Sequence, residues 1–244
     1  MSKEHYRKKN KGPVSEELFL DSWSGLQEYL DKAPDRIKRI ECPERDVKRL
    51  EGLLSARRGE FQVIPTDQPL RVYVKESFKD ESSLELLEFS EKEVVIALDH
   101  ITDTRNLGAI IRSAAFFGVQ TIVVPNKRQA PIAQGTLATC QGALTYSSAY
   151  SVVNLVRALK KMKDKGFWII GADMGGEPLE RYSSKFDKVV LVMGSEEKGI
   201  SRLVREACDI IVSIPGRPNS VESLNVSVAS GILVQEFTKP ILTV

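Results

Sequence analysis

From residue 94 onward, continuous apolar runs alternate with helix-patterned stretches. VVIALD, QTIVVP, FWIIGAD, KVVLVMG and DIIVSIP contain too few polar positions for strands wetted on one face. They read as strands buried on both faces. Between and after them, NLGAIIRSAAFFG, VVNLVRALKKMKDK, ISRLVREAC and LNVSVASGILVQEF have the spacing of helices. Gly118 and Gly166 stand where helices stop. The alternation predicts an α/β fold, a mostly parallel sheet with helices on both faces.

The pattern before residue 94 is different. Leu26, Tyr29, Leu30 and Ala33 give SEELFLDSWSGLQEYLDKA helical spacing in its second half. RIKRIEC, FQVIP and LRVYV read as short strands. ERDVKRLEGLLSARRG reads as a helix ending at Gly59. The expected organisation is a basic disordered tail (1–12), a small α/β domain (13–76) and an acidic, Ser-rich linker with one helical turn (77–93). The larger domain follows (94–244).

Composition adds little: 42% hydrophobic and 28% charged residues are ordinary for a globular protein. No apolar run approaches the ~18 residues of a membrane span. The basic N-terminus lacks the apolar segment of a signal peptide. A cytoplasmic protein is expected. Cys42, Cys140 and Cys208 lack metal or disulfide spacing and read as buried thiols. No Asp/Glu/His cluster has ligand spacing, so no metal is expected.

The charge distribution is more informative than the net charge of +2. Residues 1–12 carry five Lys/Arg against one Glu, and residues 36–58 eight against four acids. Such clusters contact phosphates without reading sequence, though an ion-paired solvated helix face has the same composition. His5 lies in the tail. His100 follows a strand, but no catalytic or metal constellation surrounds it in the sequence.

In an open α/β sheet, ligands bind beyond the carboxyl ends of the strands. Four polar loops leave those ends: HITDTRN, ADMGGEP, GSEEKGIS and GRPNSVESLN. Neither a dinucleotide nor a phosphate-loop signature is present. Each candidate has a plain structural reading. Asn106 could cap a helix starting at Leu107. Glu196 could be a helix-start carboxylate. Ser223 and Asn225 could be a cap. Arg112 lies among Ile110, Ile111, Ala114 and Ala115 and must find an anion or an exposed edge.

Taken together, NLGAIIRSAAFFG, LVMGSEEKG and SIP…SLNVSVASG, in this order at strand–helix junctions, resemble the three motifs of the SpoU–TrmH family of RNA ribose 2′-O-methyltransferases. Among these the chain is most like those acting on guanosine in 23S ribosomal RNA. The resemblance covers residues 94–238. It implies a trefoil-knotted (SPOUT-type) methyltransferase domain, S-adenosyl-L-methionine as cofactor, and a homodimer whose site draws on both chains. Carried over by motif, cofactor contacts fall at Gly194, Ile214 and Leu224. The catalytic polar residues fall at Asn106, Arg112, Glu196, Ser223 and Asn225. The small domain resembles, more distantly, a ribosomal-protein-like RNA-binding module. The His-Gln-Gly stretch that commonly closes that module in relatives is replaced by SFKDESSLELLEF. The third-motif loop is longer than usual and carries Arg217 and Pro218. The expected partner is RNA, ribosomal RNA before transfer RNA. An antibiotic-resistance role and a non-catalytic ribosome-assembly protein of the same fold are the other readings.

Overall fold

A computed structural model describes residues 17–55, 61–217, 221 and 223–242. The expected basic tail, the helix end at Gly59, Arg57, Arg58 and Pro218 lie outside the described residues. In chain order the elements begin with β1 (Phe19–Leu20), α1 (Trp23–Lys32), β2 (Ile37–Pro43), α2 (Val47–Leu54), β3 (Gln62–Thr66) and β4 (Arg71–Val74). A short α3 (Glu81–Glu85) precedes β5 (Glu93–Asp99), α4 (Thr104–Phe116), β6 (Thr121–Pro125), α5 (Gln134–Cys140) and β7 (Ser148–Val152). Then come α6 (Leu155–Asp164), β8 (Trp168–Pro178), β9 (Lys188–Gly194), α7 (Arg202–Ala207), β10 (Ile210–Ser213) and α8 (Val226–Leu242).

The small sheet has the order β1-β4-β2-β3. The large sheet has the order β10-β8-β9-β5-β6-β7, and its neighbours pair in parallel. Successive strand residues point to opposite faces. Val94, Ile96 and Leu98 of β5, with Val189, Leu191 and Met193 of β9, pack with α4, α5 and α8. Val95 and Ala97, with Val190 and Val192, pack with α3, α6 and α7. This explains the continuous apolar runs: both parities are buried.

The first of these cores continues to the small sheet and its helices through Leu20, Leu26, Tyr29, Ile40 and Val72. Polar contacts join the two parts as well. The Gln134 side chain donates to the Phe19 carbonyl at 2.9 Å and accepts from its amide at 3.1 Å. Arg36 Nη1 donates to Leu144 O at 3.0 Å and lies 3.3 Å from Glu76. Burial pushes the Glu76 carboxyl up; its hydrogen bond from Tyr29 and the charge of Arg36 oppose this. Within the stretch read as a linker, α3 packs on β7, and Lys79 forms a parallel bridge with Tyr150.

Several sequence expectations are corrected. Strand β7 and helix α5 had no counterpart, and ADMGGEP is part of β8 rather than a loop beyond it. Between Ile211 and Val212 the β10 partner jumps from Gly171 to Glu177, so residues 172–176 are skipped in that ladder. Helix α4 begins at Thr104. Its cap is Asp103, which accepts from Arg105 N at 2.7 Å and Asn106 N at 3.4 Å. Asn106 is therefore free of capping duty.

The thiols do packing work. Burial pushes Cys140 up to about 11 and Cys208 up to about 12, so both stay protonated at neutral pH. Gly108 sets the closeness of α4 and α5. A Cβ there would lie 2.6 Å from Thr136 O and 2.8 Å from Thr139 Cβ. Gly108→Ala is expected to destabilise by about 1–3 kcal/mol, read as a lower urea midpoint with an unchanged slope.

Candidate functional site

The large sheet has one switch point. From β5 the chain runs outward through β6 and β7, then returns on the other side of β5 through β8 and β9. The loops after β5 and β9 therefore diverge from adjacent strands and leave a crevice between them. A cleft of about 570 Å³ lies there. Its walls include His100 and Asp103 from the first loop, Asn106 from the first turn of α4, Glu196 and Lys198 from the second loop, and Val226 at the start of α8.

Three predicted residues meet at this cleft. Asn106 Nδ2 donates to Glu196 Oε1 at 3.0 Å. Asn225 Nδ2 donates to the same oxygen and, at 3.2 Å, to Asn106 Oδ1. The amide of Val226 also points at Glu196 Oε1, 3.4 Å away. Glu196 thus is a helix-start carboxylate, but for α8 rather than for a helix of its own. Asn225 Oδ1 accepts from Ser227 N at 2.9 Å and Ser227 Oγ at 2.6 Å, which makes it the cap of α8. The capping reading and the site reading of Asn225 are therefore compatible, because its two ends do different tasks. Ser223 and Leu224 are exposed and Ile214 is half-buried, all on the segment between β10 and α8.

Arg112 is not in this group. It lies on α4, exposed, and its Nη1 donates to Gln141 Oε1 at 2.9 Å. Gln141 holds a left-handed backbone (φ 45°) at the end of α5. The adjoining Gly142 packs against Gly25 and Glu28 of α1.

Gly194 closes β9, where a tight turn begins. Ser195 and Gly199 exchange backbone hydrogen bonds of 3.1 and 2.8 Å. A Cβ on Gly194 would stand 2.0 Å from the Gly199 carbonyl carbon. No side chain fits, because the Gly199–Ile200 main chain packs directly against Gly194 at the strand end.

Sequence reasoning gave His100 no partner; the structure supplies one. Its Nδ1 lies 2.7 Å from Oδ1 of Asp99, a carboxylate only 1% exposed. The other Asp99 oxygen accepts from Ser201 N at 2.7 Å. His100 also has φ 64°, a left-handed backbone that costs a non-glycine residue of order 1–2 kcal/mol. The available signal was the Asp-His pair at the end of the central strand. Among the described residues no His/Cys/Asp/Glu group could hold a metal, and no helix is long and apolar enough to cross a membrane.

Residues 93–235 match the SpoU rRNA Methylase family. A Mycolicibacterium vanbaalenii protein named as an uncharacterized tRNA/rRNA methyltransferase is 36% identical over 223 residues, 91% of this chain and 68% of that protein. The chain thus spans about two thirds of that relative. Two solved structures share the fold. The SpoU methyltransferase AviRb from Streptomyces viridochromogenes, in complex with AdoMet, has a TM-score of 0.77 at 20% identity, covering 93% of this chain and 92% of that one. The AdoMet-bound rRNA methyltransferase from Sinorhizobium meliloti has a TM-score of 0.72 at 20% identity, covering 93% and 88%. With Asn106, Glu196 and Asn225 gathered at the switch point of a parallel sheet and more than half its length matched, the chain belongs to the SpoU rRNA Methylase family.

Proposed function

We propose that this protein transfers a methyl group from S-adenosylmethionine to a ribose 2′-hydroxyl in RNA, with ribosomal RNA favoured over transfer RNA. The carrying observation is the Asn106–Glu196–Asn225 group, drawn from three segments separated in sequence and joined at the cleft. The residues present suit the cofactor. Gly194 brings main chain with no side chain to the end of β9, and Ile214 and Leu224 offer apolar flanks. When bound, the cofactor supplies an electrophilic methyl group. Asn106, Glu196 and Asn225 then fix the loops that hold the reacting ribose, and Ser223 lies on the same loop as Asn225. Arg112 supplies positive charge for the developing oxyanion and the neighbouring phosphate. A guanidinium keeps its proton, so Arg112 is not the base.

The small domain presents the RNA in this reading. It pairs cations with rings: on its sheet Arg39 stands 3.5 Å from the Tyr73 ring centre, and between its helices Arg49 of α2 stands 4.1 Å from that of Trp23 of α1. Such pairs suit stacked bases and phosphates. The knot and the homodimer belong to the same proposal. Exposed Phe116 on α4 and Val228 and Ile232 on α8 offer an apolar face to a second copy. The separation of Arg112 from the trio within one chain favours a site assembled from two.

The test is methyl transfer from labelled S-adenosylmethionine to unmodified total RNA, with ribosomal and transfer fractions separated. Label in a large ribosomal RNA, resistant to alkaline cleavage at one ribose, is the expected result. Label in transfer RNA would overturn the substrate choice. Cofactor binding without label in any RNA or precursor particle would favour a non-catalytic assembly role.

A further inference from the structure

Ribose 2′-O-methylation needs somewhere for the hydroxyl proton to go. Arg112 cannot take it, and Glu196 Oε1 already receives three N–H groups. One cleft residue with an uncommitted ring nitrogen remains. His100 Nδ1 faces the buried Asp99 carboxylate at 2.7 Å. That carboxylate is held in place by the Ser201 amide. A carboxylate at Nδ1 keeps the proton there and leaves a lone pair on Nε2. The ring is about a third exposed, and it lines the same cleft as Asn106 and Glu196. The left-handed backbone at His100 is a strain of the kind that collects at working sites.

We propose that His100 is the proton acceptor of the reaction, its Nε2 taking the proton of the ribose 2′-hydroxyl. The step balances. The O–H bond breaks and an O–CH₃ bond forms, while the methyl–sulfur bond breaks and leaves a neutral thioether. The proton moves to Nε2, and the resulting imidazolium faces Asp99 until the proton leaves through the open cleft. Asp99 is a positioning residue, setting the tautomer and opposing the transient charge. The other charged groups of the cleft are Asp103, Arg128, Glu196, Glu197, Lys198 and Arg202. They carry both signs.

The proposal rests on the ribose 2′-hydroxyl reading, and the experiment separates the two. His100→Asn is the variant, since Asn tolerates a left-handed backbone and has no base. It is expected to lower kcat about 10²–10³-fold with RNA and cofactor affinities unchanged. It should also abolish the limb of the wild-type profile in which rate rises with pH. A second readout needs no turnover. Long-range ¹H–¹⁵N spectra of the wild type should show an unprotonated Nε2 on the resonance missing from His100→Asn, and Asp99→Asn should disturb it. Turnover within twofold of wild type, a persisting pH limb, or a protonated Nε2 would overturn the proposal. An alkali-labile wild-type product would instead overturn the 2′-hydroxyl reading, and His100 as ribose base with it.

Discussion

Arg112→Ala is expected to lower methyl-transfer turnover by about 10²–10³-fold while leaving affinity for S-adenosylmethionine unchanged. The side chain is exposed, and its hydrogen bond with Gln141 is solvent-reached, so little stability is lost with it. The loss would then report chemistry, namely positive charge that no longer meets the developing oxyanion. Arg112→Lys keeps the charge but not the planar fork, and should recover only part of the rate. A two-chain site makes a sharper demand. Co-assembled Arg112→Ala and Asn106→Ala chains should regain roughly a quarter of wild-type turnover, since about half of random dimers hold one intact pairing. Steady-state kinetics and calorimetry on the purified variants check this. Near-normal turnover in Arg112→Ala would remove the residue from the mechanism, and a mixture as inactive as its parts would remove the shared site.

The parallel sheet was legible because β5, β6 and β9 bury both faces and so show uninterrupted apolar runs. Strand β7 was not. SAYSV is an edge strand with two serines, and its last residue, Val152, reads equally well as the start of the next helix. Helix α5, QGTLATC, is made of small and hydroxyl residues whose apolar spacing is too sparse to register. The β8 bulge could not be read either, since it exists only through the register with β10. At the site, the motifs named the residues but not their distances. Asn106, Glu196 and Asn225 meet because the sheet order places β5 beside β9, which periodicity does not encode. The isolation of Arg112 was legible in principle. Six residues along a helix turn the side chain by about 600°, roughly 120° away from the face of Asn106. His100 was passed over because its partner is its own neighbour, a contact that a search for spaced constellations overlooks.

Gly194→Ala is expected to abolish cofactor binding outright. The position ends β9, where Asp99 of β5 lies opposite in the ladder. The next residues must fold back at once, because Ser195 and Gly199 pair through both backbone groups. A methyl group would sit 2.0 Å from the Gly199 carbonyl carbon, 2.1 Å from its oxygen and 2.2 Å from Ile200 N. These are main-chain atoms and cannot swing aside as a side chain would. Strand β9 is buried and paired on both edges, so the turn must yield rather than the strand. Opening the turn displaces Glu196, which lies within it, and with it the acceptor shared by Asn106, Asn225 and Val226. The main chain proposed to hold the cofactor and the arrangement proposed to align the ribose therefore fail together. Gly52→Ala is the matched control, since a Cβ there meets nothing within 4 Å. Calorimetry should give no heat with S-adenosylmethionine for Gly194→Ala and wild-type heat for Gly52→Ala. The unfolding midpoint of Gly194→Ala should fall by the equivalent of about 1–3 kcal/mol, since the clash is confined to one turn. Wild-type affinity in Gly194→Ala would place the cofactor away from the end of β9 and overturn the assignment of Gly194.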